Sequence, residues 1–498
     1  MNAMEKTERA VKPYAPWIVG LAVGLMLAYA AFFSTAAVLR HQSLHSTGFD
    51  LGNFDQAIWN TLHGRPFRTT NIPGITTRLA VHVEPILLLI APLYLVWPDP
   101  RALLILQATA LAAGGWPVFR LAADRLSSGL AGIVFLLVYL LFPALQGPNL
   151  YDFHPSPLAA PLLAFAYYAA NRCQWKVFAA LTLVAALCRE EIPLLVAAMG
   201  LYVAWVQGKV RLGLAVAAVS LAYFLIVNGL VVPHFSATEI QQFMGGNRYA
   251  QFGDSVIEAA VTVLTRPVLA WQHVVSDPLR VRYLTHLLFP VAFLALLDPA
   301  TLLIAAPVVA VNVLSNYEPM YWLDRLHYSA TVVPFVVIAA VGGTARLVRW
   351  LEARRGIAPV FTQYALLVGM LIATLGYTLR FGHTPLAVGF QGYRVTERTA
   401  QAYSLIERIP PDAVVSANGN LNPHVTRRPT AYVFPKLQGS EWEPPAEYVL
   451  LDSRGVFYPL PSAQAYERAI ADLNADPAYR LIGQAGDFFM WQRKARAG

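Results

Sequence analysis

Long apolar runs separated by short polar stretches fill the first 380 residues of the chain. The first run, Trp17 to Leu39, carries no charge and exceeds the roughly 20 apolar residues that a bilayer core requires. Further runs follow at 101–119, 129–146, 158–171, 177–188, 191–206, 212–232, 283–297, 301–315, 329–344 and 359–379. This pattern predicts a polytopic α-helical membrane protein with about eleven transmembrane helices.

Lysine and arginine residues orient the predicted spans, because short cytoplasmic loops are enriched in them. They cluster in the stretches 6–12, 120–125, 172–176, 209–211 and 346–355, which we therefore place inside. One more apolar stretch, Pro85 to Trp97, would reverse every later loop if it crossed, so we interpret it as re-entrant or lying on the surface. The N-terminus is then cytoplasmic, and the outer face receives the loops 40–84, 147–157, 233–282 and 316–328.

The composition changes to that of a soluble domain after residue 380. Hydrophobic periodicity predicts helices over 394–409 and 463–473. Short apolar segments predict strands over 413–417, 431–434 and 448–451, followed by a hairpin of 479–482 with 488–493. We therefore divide the chain into a transmembrane domain, residues 1–380, and a small extracytoplasmic α/β domain, residues 381–498.

The composition excludes a soluble protein and gives no sign of a nucleic-acid partner. Hydrophobic residues make up 56% of the chain and charged residues 13%, against about a quarter charged in soluble proteins. The formal net charge is +8, but the basic residues are scattered between apolar runs and form no stripe. The two cysteines, Cys173 and Cys188, lack the CxxC spacing of a thiolate metal site.

The most informative polar stretch is Gly48 to Asn60, which places two acids directly after the first span. Its apolar side chains recur at helical spacing, at Phe54, Ala57, Ile58 and Leu62. This spacing predicts a short amphipathic helix at the membrane surface. Asp50 and Asp55 are therefore candidate catalytic residues, and the alternative for Asp50 is that it only caps this helix.

Two outer loops each contain a histidine two residues from an acid, namely His82 with Glu84 and His154 with Asp152. Alternate residues of an extended segment point to the same side. Each pair could therefore offer ligands to a divalent cation such as Mg²⁺ or Mn²⁺, or form a proton relay. The alternative is that these four residues are interfacial polar groups solvated by water and lipid headgroups.

A third polar group, Arg189-Glu190-Glu191, stands between two short apolar segments. Ionisable residues near membrane depth are costly, so they usually pair with one another or face a cavity. Arg189 and Glu190 are therefore candidates for binding substrate, and a purely structural arginine–glutamate pair is the alternative.

The loop 316–328 combines several aromatic residues with Arg325, His327 and Tyr328. The planar guanidinium of arginine suits a phosphate, which makes these three residues candidates for a phosphate site. The alternative is that the loop anchors the protein at the membrane interface. The sequence has no P-loop, GxGxxG, HExxH or GxSxG motif, so it does not support an ATPase, dehydrogenase, zincin or serine hydrolase.

Four stretches of the chain resemble a bacterial membrane-protein family, the 2079 domain-of-unknown-function family. They are 49–60, 85–94 together with 98–101, 153–155, and the Asn-Gly-Asn-Leu-Asn-Pro-His sequence of 418–424. The resemblance covers most of the chain, including the C-terminal domain. It implies a multi-pass protein of the bacterial inner membrane.

That family in turn resembles the GT-C superfamily, the membrane glycosyltransferases that use lipid-phosphate-linked sugars. In those enzymes an acid soon after the first span acts as base or metal ligand, and Asp50 matches it by position. The spacing of Phe54, Ala57 and Gly64 also resembles the helix that follows this acid in arabinosyl- and mannosyl-transferring members. The usual Asp-Glu pair is replaced by Asp50-Leu51, which leaves the identity of the base and the need for a metal open.

The resemblance implies a glycosyltransferase that moves a sugar from a polyprenyl-phosphate-linked donor to a glycan, lipid or protein acceptor at the outer face. Asp50 would take the acceptor proton, Arg325 and Arg189 would hold the departing phosphate, and the α/β domain would bind the acceptor. The alternative is a non-enzymatic lipid or polysaccharide transporter, or an export-complex subunit. Transporters place polar residues near the midplane, whereas the predicted spans 129–146, 212–232 and 359–379 are apolar at their centres, which favours the enzyme.

Overall fold

The computed structural model describes residues 14–72, 74–236, 248–439 and 443–494. The chain before residue 382 is mainly helical. Its α-helices up to residue 236 are Pro16–Gln42, Asn53–Leu62, Ile86–Ile90, Leu93–Val96, Pro100–Ala113, Gly115–Arg125, Gly129–Leu140, Pro143–Tyr151, Pro155–Asn171, Trp175–Ala186, Ile192–Trp205, Val210–Ile226 and Val232–Phe235. They are followed by Val256–Thr265, Pro267–Val275, Pro278–Leu288, Pro299–Leu302, Ala306–Val313, Val333–Arg355 and Pro359–Phe381.

Five described helices are long and apolar enough to cross a membrane: Pro16–Gln42, Pro100–Arg125, Val210–Phe235, Val333–Arg355 and Pro359–Phe381. A sixth span results if Gly129–Leu140 and Pro143–Tyr151, which are bent by 43°, are counted as one. The protein is therefore built as a multi-pass helical membrane protein. The predicted number of eleven crossings is not confirmed, because several predicted segments form shorter or interrupted helices.

The predicted spans 283–297 and 301–315 show how the interruption arises. The helix that begins at Pro278 ends at Leu288, where a 3-10 turn containing Pro290 follows. Ala292 and Phe293 then have φ values of 48° and 58°, so the helix does not resume there. The stretch Pro85 to Trp97 folds as an apolar helical segment, Ile86–Val96, which is too short for a span. A helix of this length covers about 16 Å, roughly half of the bilayer core.

The helix Val333–Arg355 runs through the middle of the membrane part. Its residues from Val333 to Ala345 are all buried. A side chain on Gly342 would overlap Asp298, and one on Gly343 would overlap the backbone of Leu294. These two glycines therefore allow the segment around 294–298 to pack directly against the central helix.

The chain after residue 396 forms a five-stranded mixed sheet. Its strands are β1 (Val415–Ala417), β2 (Ala431–Val433), β3 (Tyr448–Asp452), β4 (Tyr479–Ala485) and β5 (Phe488–Arg493). They lie in the order β2-β1-β3-β5-β4. The pairs β1–β2 and β1–β3 are parallel, with Val415 opposite Ala431 and Tyr448, whereas β3–β5 and β4–β5 are antiparallel.

Two helices cover opposite faces of this sheet. Leu405 of the helix Glu397–Ile406 packs in one apolar cluster with Leu450, and Leu473 of the helix Ala463–Ala475 packs in another with Val449 and Leu451. Because successive strand residues point to opposite faces, β3 contributes to both clusters. The result is a three-layer α/β arrangement over the part that was predicted as the C-terminal domain. Its outer location stays a prediction.

Candidate active site

A cavity of about 330 Å³ lies where the first polar loop, the segment 78–84, the residues around Tyr151 and the loop 317–328 meet. Tyr458 from the C-terminal part also lines it. The structure brings several predicted site residues together here: Asp50, His82, Glu84, His154, Arg189, His327 and Tyr328. Four separate predictions from distant parts of the sequence therefore concern one place.

Asp50 lies on a π-helical turn, Gly48–Gly52, that links the first long helix to the helix Asn53–Leu62. Thr47 caps this turn, because its hydroxyl oxygen accepts a hydrogen bond of 3.2 Å from the Asp50 backbone N–H. The same hydroxyl donates a bond of 2.8 Å to Asp50 Oδ2. Thr47 therefore shapes the turn and restrains the carboxylate at once, so Asp50 is not merely a helix cap.

Two further side chains bind the Asp50 carboxylate. The Tyr151 hydroxyl donates to Oδ2 at 3.0 Å, and His154 Nε2 lies 3.1 Å from Oδ1. Burial alone would raise the pKa of Asp50, but the bonds from His154, Thr47 and Tyr151 outweigh it and lower the pKa to about 2. Asp50 is therefore an ionised carboxylate at neutral pH, held in one orientation at the cavity wall.

The predicted pairing of Asp152 with His154 on one side of the chain is not seen. Asp152 Oδ1 binds Arg40 Nη1 at 2.6 Å, and Asp152 Oδ2 accepts from the Thr47 backbone N–H at 2.8 Å. Asp152 thus holds the end of the first helix to the start of the Asp50 turn. His154, in contrast, reaches the cavity and binds Asp50 directly.

Arg189 connects the two histidines at the other side of the cavity. Its Nη1 lies 2.8 Å from His327 Nε2, and its Nη2 lies 3.2 Å from His82 Nε2. Because a guanidinium only donates, both histidine nitrogens act as acceptors here. Burial lowers the pKa of both histidines, further aided by the charge of Arg189, so both rings are neutral. This contact does not test whether Arg189 and His327 bind a ligand or are purely structural, so both roles stay predictions.

Glu190 completes this group although it lies behind the lining. Its Oε1 accepts from His82 Nδ1 at 2.6 Å, and its Oε2 accepts from the Val83 backbone N–H at 3.1 Å. Burial would raise the pKa of Glu190, but His82 and Arg189 outweigh it and hold the pKa below its usual range. Glu191 pairs with Arg189 at 3.2 Å. The sequence Arg189-Glu190-Glu191 is therefore an internal ion-pair network whose arginine also reaches the cavity.

His327 lines the cavity, and its ring nitrogen Nδ1 has an unusual environment. Its ring stacks on His154 with 3.8 Å between centroids. Its Nε2 is bound to Arg189, which leaves the hydrogen on Nδ1. That buried Nδ1 has no hydrogen-bond partner among the described residues. A buried unpaired donor is costly, so it marks a position that a ligand could satisfy.

Glu84 forms an ion pair with Arg78, in which Arg78 Nε lies 3.1 Å from Glu84 Oε2. Arg78 also lies over the ring of Phe54, with 4.1 Å between its central carbon and the ring centroid. Both charged side chains are almost fully buried. His82 and Glu84 therefore bind different partners, in contrast to the predicted pair on one side.

Arg248 is a cavity residue that sequence reasoning did not select. Its guanidinium lies 4.6 Å from the centroid of the Tyr317 ring, and its Nη1 lies 3.7 Å from Met320 Sδ. It forms no ion pair with the described residues. Arg78 and Arg189, by comparison, each have a glutamate. Thr47, Tyr151 and Tyr458 were also missed. Tyr151 adjoins the selected Asp152, which was a usable signal, but no local pattern indicates Tyr458 or Arg248.

Asp55 lies outside the cavity. Its Oδ1 accepts a 2.6 Å bond from the Tyr94 hydroxyl, and its Oδ2 accepts a 2.6 Å bond from the Thr426 hydroxyl. Burial raises the pKa of Asp55 to about 6. The residue thus joins three parts of the chain, and its predicted supporting role in catalysis stays a prediction.

Arg325 lines a second cavity of about 360 Å³, together with Arg282 and Arg380. All three arginines are exposed, and none forms an ion pair with the described residues. Arg325 lies over Trp322, 5.4 Å from the ring centroid. The structure therefore separates Arg325 from Asp50, and its predicted phosphate contact is not part of the first cavity.

The residues around the first cavity do not fit a divalent cation. Within the described ranges, no three His, Cys, Asp or Glu side chains are grouped to hold a metal ion. Both oxygens of Asp50 and of Glu190 already accept hydrogen bonds, and Arg189 occupies a nitrogen of each of two histidines. A site rich in donors suits an anion better than a cation.

A family model described as a predicted membrane protein (DUF2079) matches residues 40–484, which confirms the family resemblance seen in the sequence. The structure also resembles the crystal structure of ArnT from Cupriavidus metallidurans bound to undecaprenyl phosphate, with a TM-score of 0.54 and 13% identity. This match covers 97% of this chain and 99% of the ArnT chain. The apo form of ArnT gives a TM-score of 0.49 at 13% identity, over 95% of this chain and 98% of that one. No curated protein sequence matches significantly.

Proposed function

Because the chain belongs to the DUF2079 family of predicted membrane proteins and shares its fold with ArnT over nearly its whole length, we propose that it is a membrane glycosyltransferase. Its donor would be a sugar linked to a polyprenyl phosphate, and its acceptor a hydroxyl group that enters the Asp50 cavity. The support from ArnT is that a protein of this fold binds undecaprenyl phosphate.

The observation that carries the proposal is the arrangement of charge around the first cavity. A fixed, ionised carboxylate, Asp50, faces a space that also holds the guanidinium of Arg248, which forms no ion pair with the described residues. Sugar transfer from a phosphate needs both features, because it moves a proton from the acceptor and leaves negative charge on the phosphate.

The proposed step begins with an acceptor hydroxyl placed beside Asp50. The hydroxyl oxygen attacks the anomeric carbon, and the bond from that carbon to the phosphate oxygen breaks with its electron pair. Asp50 takes the hydroxyl proton as the new bond forms. Its low pKa means that the transfer occurs late, once bonding to carbon has made the hydroxyl acidic. Arg248 then binds the lipid phosphate that has gained a negative charge.

The neutral histidines have a separate task in this proposal. His327 offers its unpaired Nδ1–H, and Arg189 keeps the ring in that tautomer by donating to Nε2. A neutral N–H donor can bind a sugar hydroxyl or a phosphate oxygen without adding charge. Arg189 itself is engaged by His82, His327 and Glu191, so its role would be to orient these groups rather than to hold phosphate alone.

The orientation in the membrane is part of the proposal. With the charge clusters 120–125, 172–176, 209–211 and 346–355 on the cytoplasmic side, the Asp50 cavity and the C-terminal sheet lie on the outer face. A polyprenyl chain cannot leave the bilayer, so the reaction must take place beside the lipid headgroups. In a bacterium this corresponds to the outer surface of the inner membrane.

Deleting the gene and profiling both lipid-linked sugars and surface glycans tests the proposal. We expect one glycan to lose a sugar and the matching lipid-linked donor to accumulate, with both changes reversed by the wild-type gene. A well-expressed Asp50→Asn protein should fail to reverse them, whereas Asp254→Asn, an exposed loop control, should succeed. Unchanged lipid-linked sugars and glycans in the deletion strain would favour a transport or assembly role instead.

A further inference from the structure

The turn that carries Asp50 is held from the C-terminal part of the chain. The Gly48 backbone N–H donates a 2.7 Å hydrogen bond to the carbonyl oxygen of Gly419. Asn71 Nδ2 donates to the Gly48 carbonyl at 3.1 Å, and Asn422 Nδ2 donates to Asn71 Oδ1 at 3.1 Å. Both backbone hydrogen-bonding groups of Gly48 are therefore fixed, directly or through Asn71, by residues 419–422.

The side chain of Asn422 lies against both ends of this turn. A Cβ added to Gly48 would lie 2.8 Å from Asn422 Oδ1, and one added to Gly52 would overlap the same oxygen. Gly52 has φ −63° and ψ −36°, which every residue type adopts readily. The close approach of Asn422, and not the backbone conformation, is therefore what requires glycine at position 52.

Asn422 is itself fixed within the C-terminal sheet. Its Nδ2 donates a second hydrogen bond of 3.0 Å to the carbonyl oxygen of Tyr432 in β2, and the residue is fully buried. Both amide hydrogens are thus used, one toward the sheet and one toward Asn71. Because these two hydrogen bonds hold the Asn422 side chain, it cannot move away from the turn, and it supports the turn rigidly.

From this geometry we propose that Asn422 is a positioning residue, through which the C-terminal part of the chain sets the orientation of the Asp50 carboxylate. The inference rests on the proposed function in one respect, because Asp50 acts on substrate there. The C-terminal part would then do more than bind an acceptor. It would complete the active site by holding the turn from which the carboxylate contacts Thr47, Tyr151 and His154.

Three variants and a control test this role in the purified full-length protein and in the complemented deletion strain. Asn422→Ala removes the supporting side chain. Gly52→Ala adds a methyl group that overlaps this side chain. In the double variant, the new methyl group has the space that the Asn422 amide occupied. The control is Gly24→Ala, because a Cβ on this helical glycine meets no atom within 4 Å. All four proteins are compared for expression, thermal unfolding and transfer output.

Hydrogen–deuterium exchange of the peptide 45–56 reports on the turn without any substrate. We expect Asn422→Ala and Gly52→Ala to speed its exchange by about tenfold while peptides of the central helix 333–355 stay unchanged. Transfer per folded protein should fall by about 100-fold in each single variant, because a displacement of about 1 Å can cost that much. The double variant should recover both readouts in part, and Gly24→Ala should match wild type.

Two results would overturn the positioning role. One is wild-type exchange of the peptide 45–56 in Asn422→Ala. The other is a double variant as impaired as the sum of its parts, with transfer falling only in step with the folded fraction. Failure of the proposed function would give a different result. The Asp50→Asn protein would then produce the same glycans as wild type in the deletion strain, while the exchange of the turn would still respond to Asn422→Ala.

Discussion

The two cavities are similar in size but differ in how their charges are held. The Asp50 cavity, about 330 Å³, is built from buried groups such as Arg189 and His327 that bind one another. The Arg325 cavity, about 360 Å³, gathers three exposed arginines that form no ion pair among the described residues. Exposed arginines at a membrane interface are readily solvated, whereas buried ionisable groups persist only with partners. The first cavity is therefore the better candidate for chemistry, although its charges are less visible in the sequence.

The largest expected effect is the difference in transfer between replacing Asp50 in the first cavity and replacing Asp324 in the second. Asp50→Asn keeps the shape of the side chain but removes the base, so we expect transfer to fall by about 10³-fold. Asp324→Asn removes a carboxylate from the wall of the second cavity and should change transfer by less than about twofold. Both are measured as glycan output at matched protein level. Equal loss in the two variants would erase the distinction between the cavities.

The affinity of the protein for lipid phosphate should also depend on residues of the first cavity. Arg248→Ala removes the guanidinium that lacks a carboxylate partner, and we expect binding of undecaprenyl phosphate to weaken about tenfold to 100-fold. Native mass spectrometry of the purified protein at several lipid concentrations measures this. Arg266→Ala, at an exposed arginine between two helices, serves as the control. Wild-type affinity in Arg248→Ala would remove Arg248 from the phosphate site.

A smaller effect concerns the ionisation of Asp50. His154→Phe keeps a ring against His327 but removes the hydrogen bond to Asp50 Oδ1 that helps to offset burial, so we expect the pKa of Asp50 to rise from about 2. The base is present above its pKa, so the acid side of the pH profile of transfer should move to higher pH. Infrared difference spectra can follow the carboxyl band, with Asp50→Asn identifying the signal. An unmoved band would show that His154 does not govern this pKa.

The smallest effect is expected in the second cavity. Arg325→Lys keeps the charge and loses the planar contact, and because Arg325 is separate from Asp50 we expect transfer to stay within about twofold of wild type. Arg346→Lys, in the predicted cytoplasmic cluster 346–355, is the control. A large loss specific to Arg325→Lys would support the sequence-based prediction that Arg325 binds donor phosphate, and would join the two cavities functionally.

Much of the candidate site could be predicted because its residues come in short, chemically unusual clusters. Asp50, His82, Glu84, His154, Arg189, His327 and Tyr328 were all selected from local patterns, and all line one cavity. Their pairings were not predictable, because His82 meets Glu190 and His154 meets Asp50 only through tertiary packing. Arg248 and Tyr458 stand in ordinary surroundings along the chain, so no sequence signal distinguished them.

The type of fold could be predicted from the sequence, but the number of membrane crossings could not. Apolar periodicity identified helical segments, and Pro290 was a usable signal for the end of the helix Pro278–Leu288. The positive φ values of Ala292 and Phe293 that follow have no such signal, because neither residue is a glycine. The contact between Asn422 and the Asp50 turn joins residues about 370 positions apart. The stretches 49–60 and 418–424 and the glycines at positions 48 and 52 stood out in the sequence, but nothing indicated that they meet. Close approach explains the two glycines only once the partner is known.

The position of the lipid phosphate tests the central claim most directly. A cryo-electron microscopy structure of the full-length protein in lipid nanodiscs with undecaprenyl phosphate would show which cavity it occupies. We expect density for the phosphate in the Asp50 cavity, within hydrogen-bonding distance of Arg248. Phosphate density among Arg282, Arg325 and Arg380, with none beside Asp50, would contradict the account.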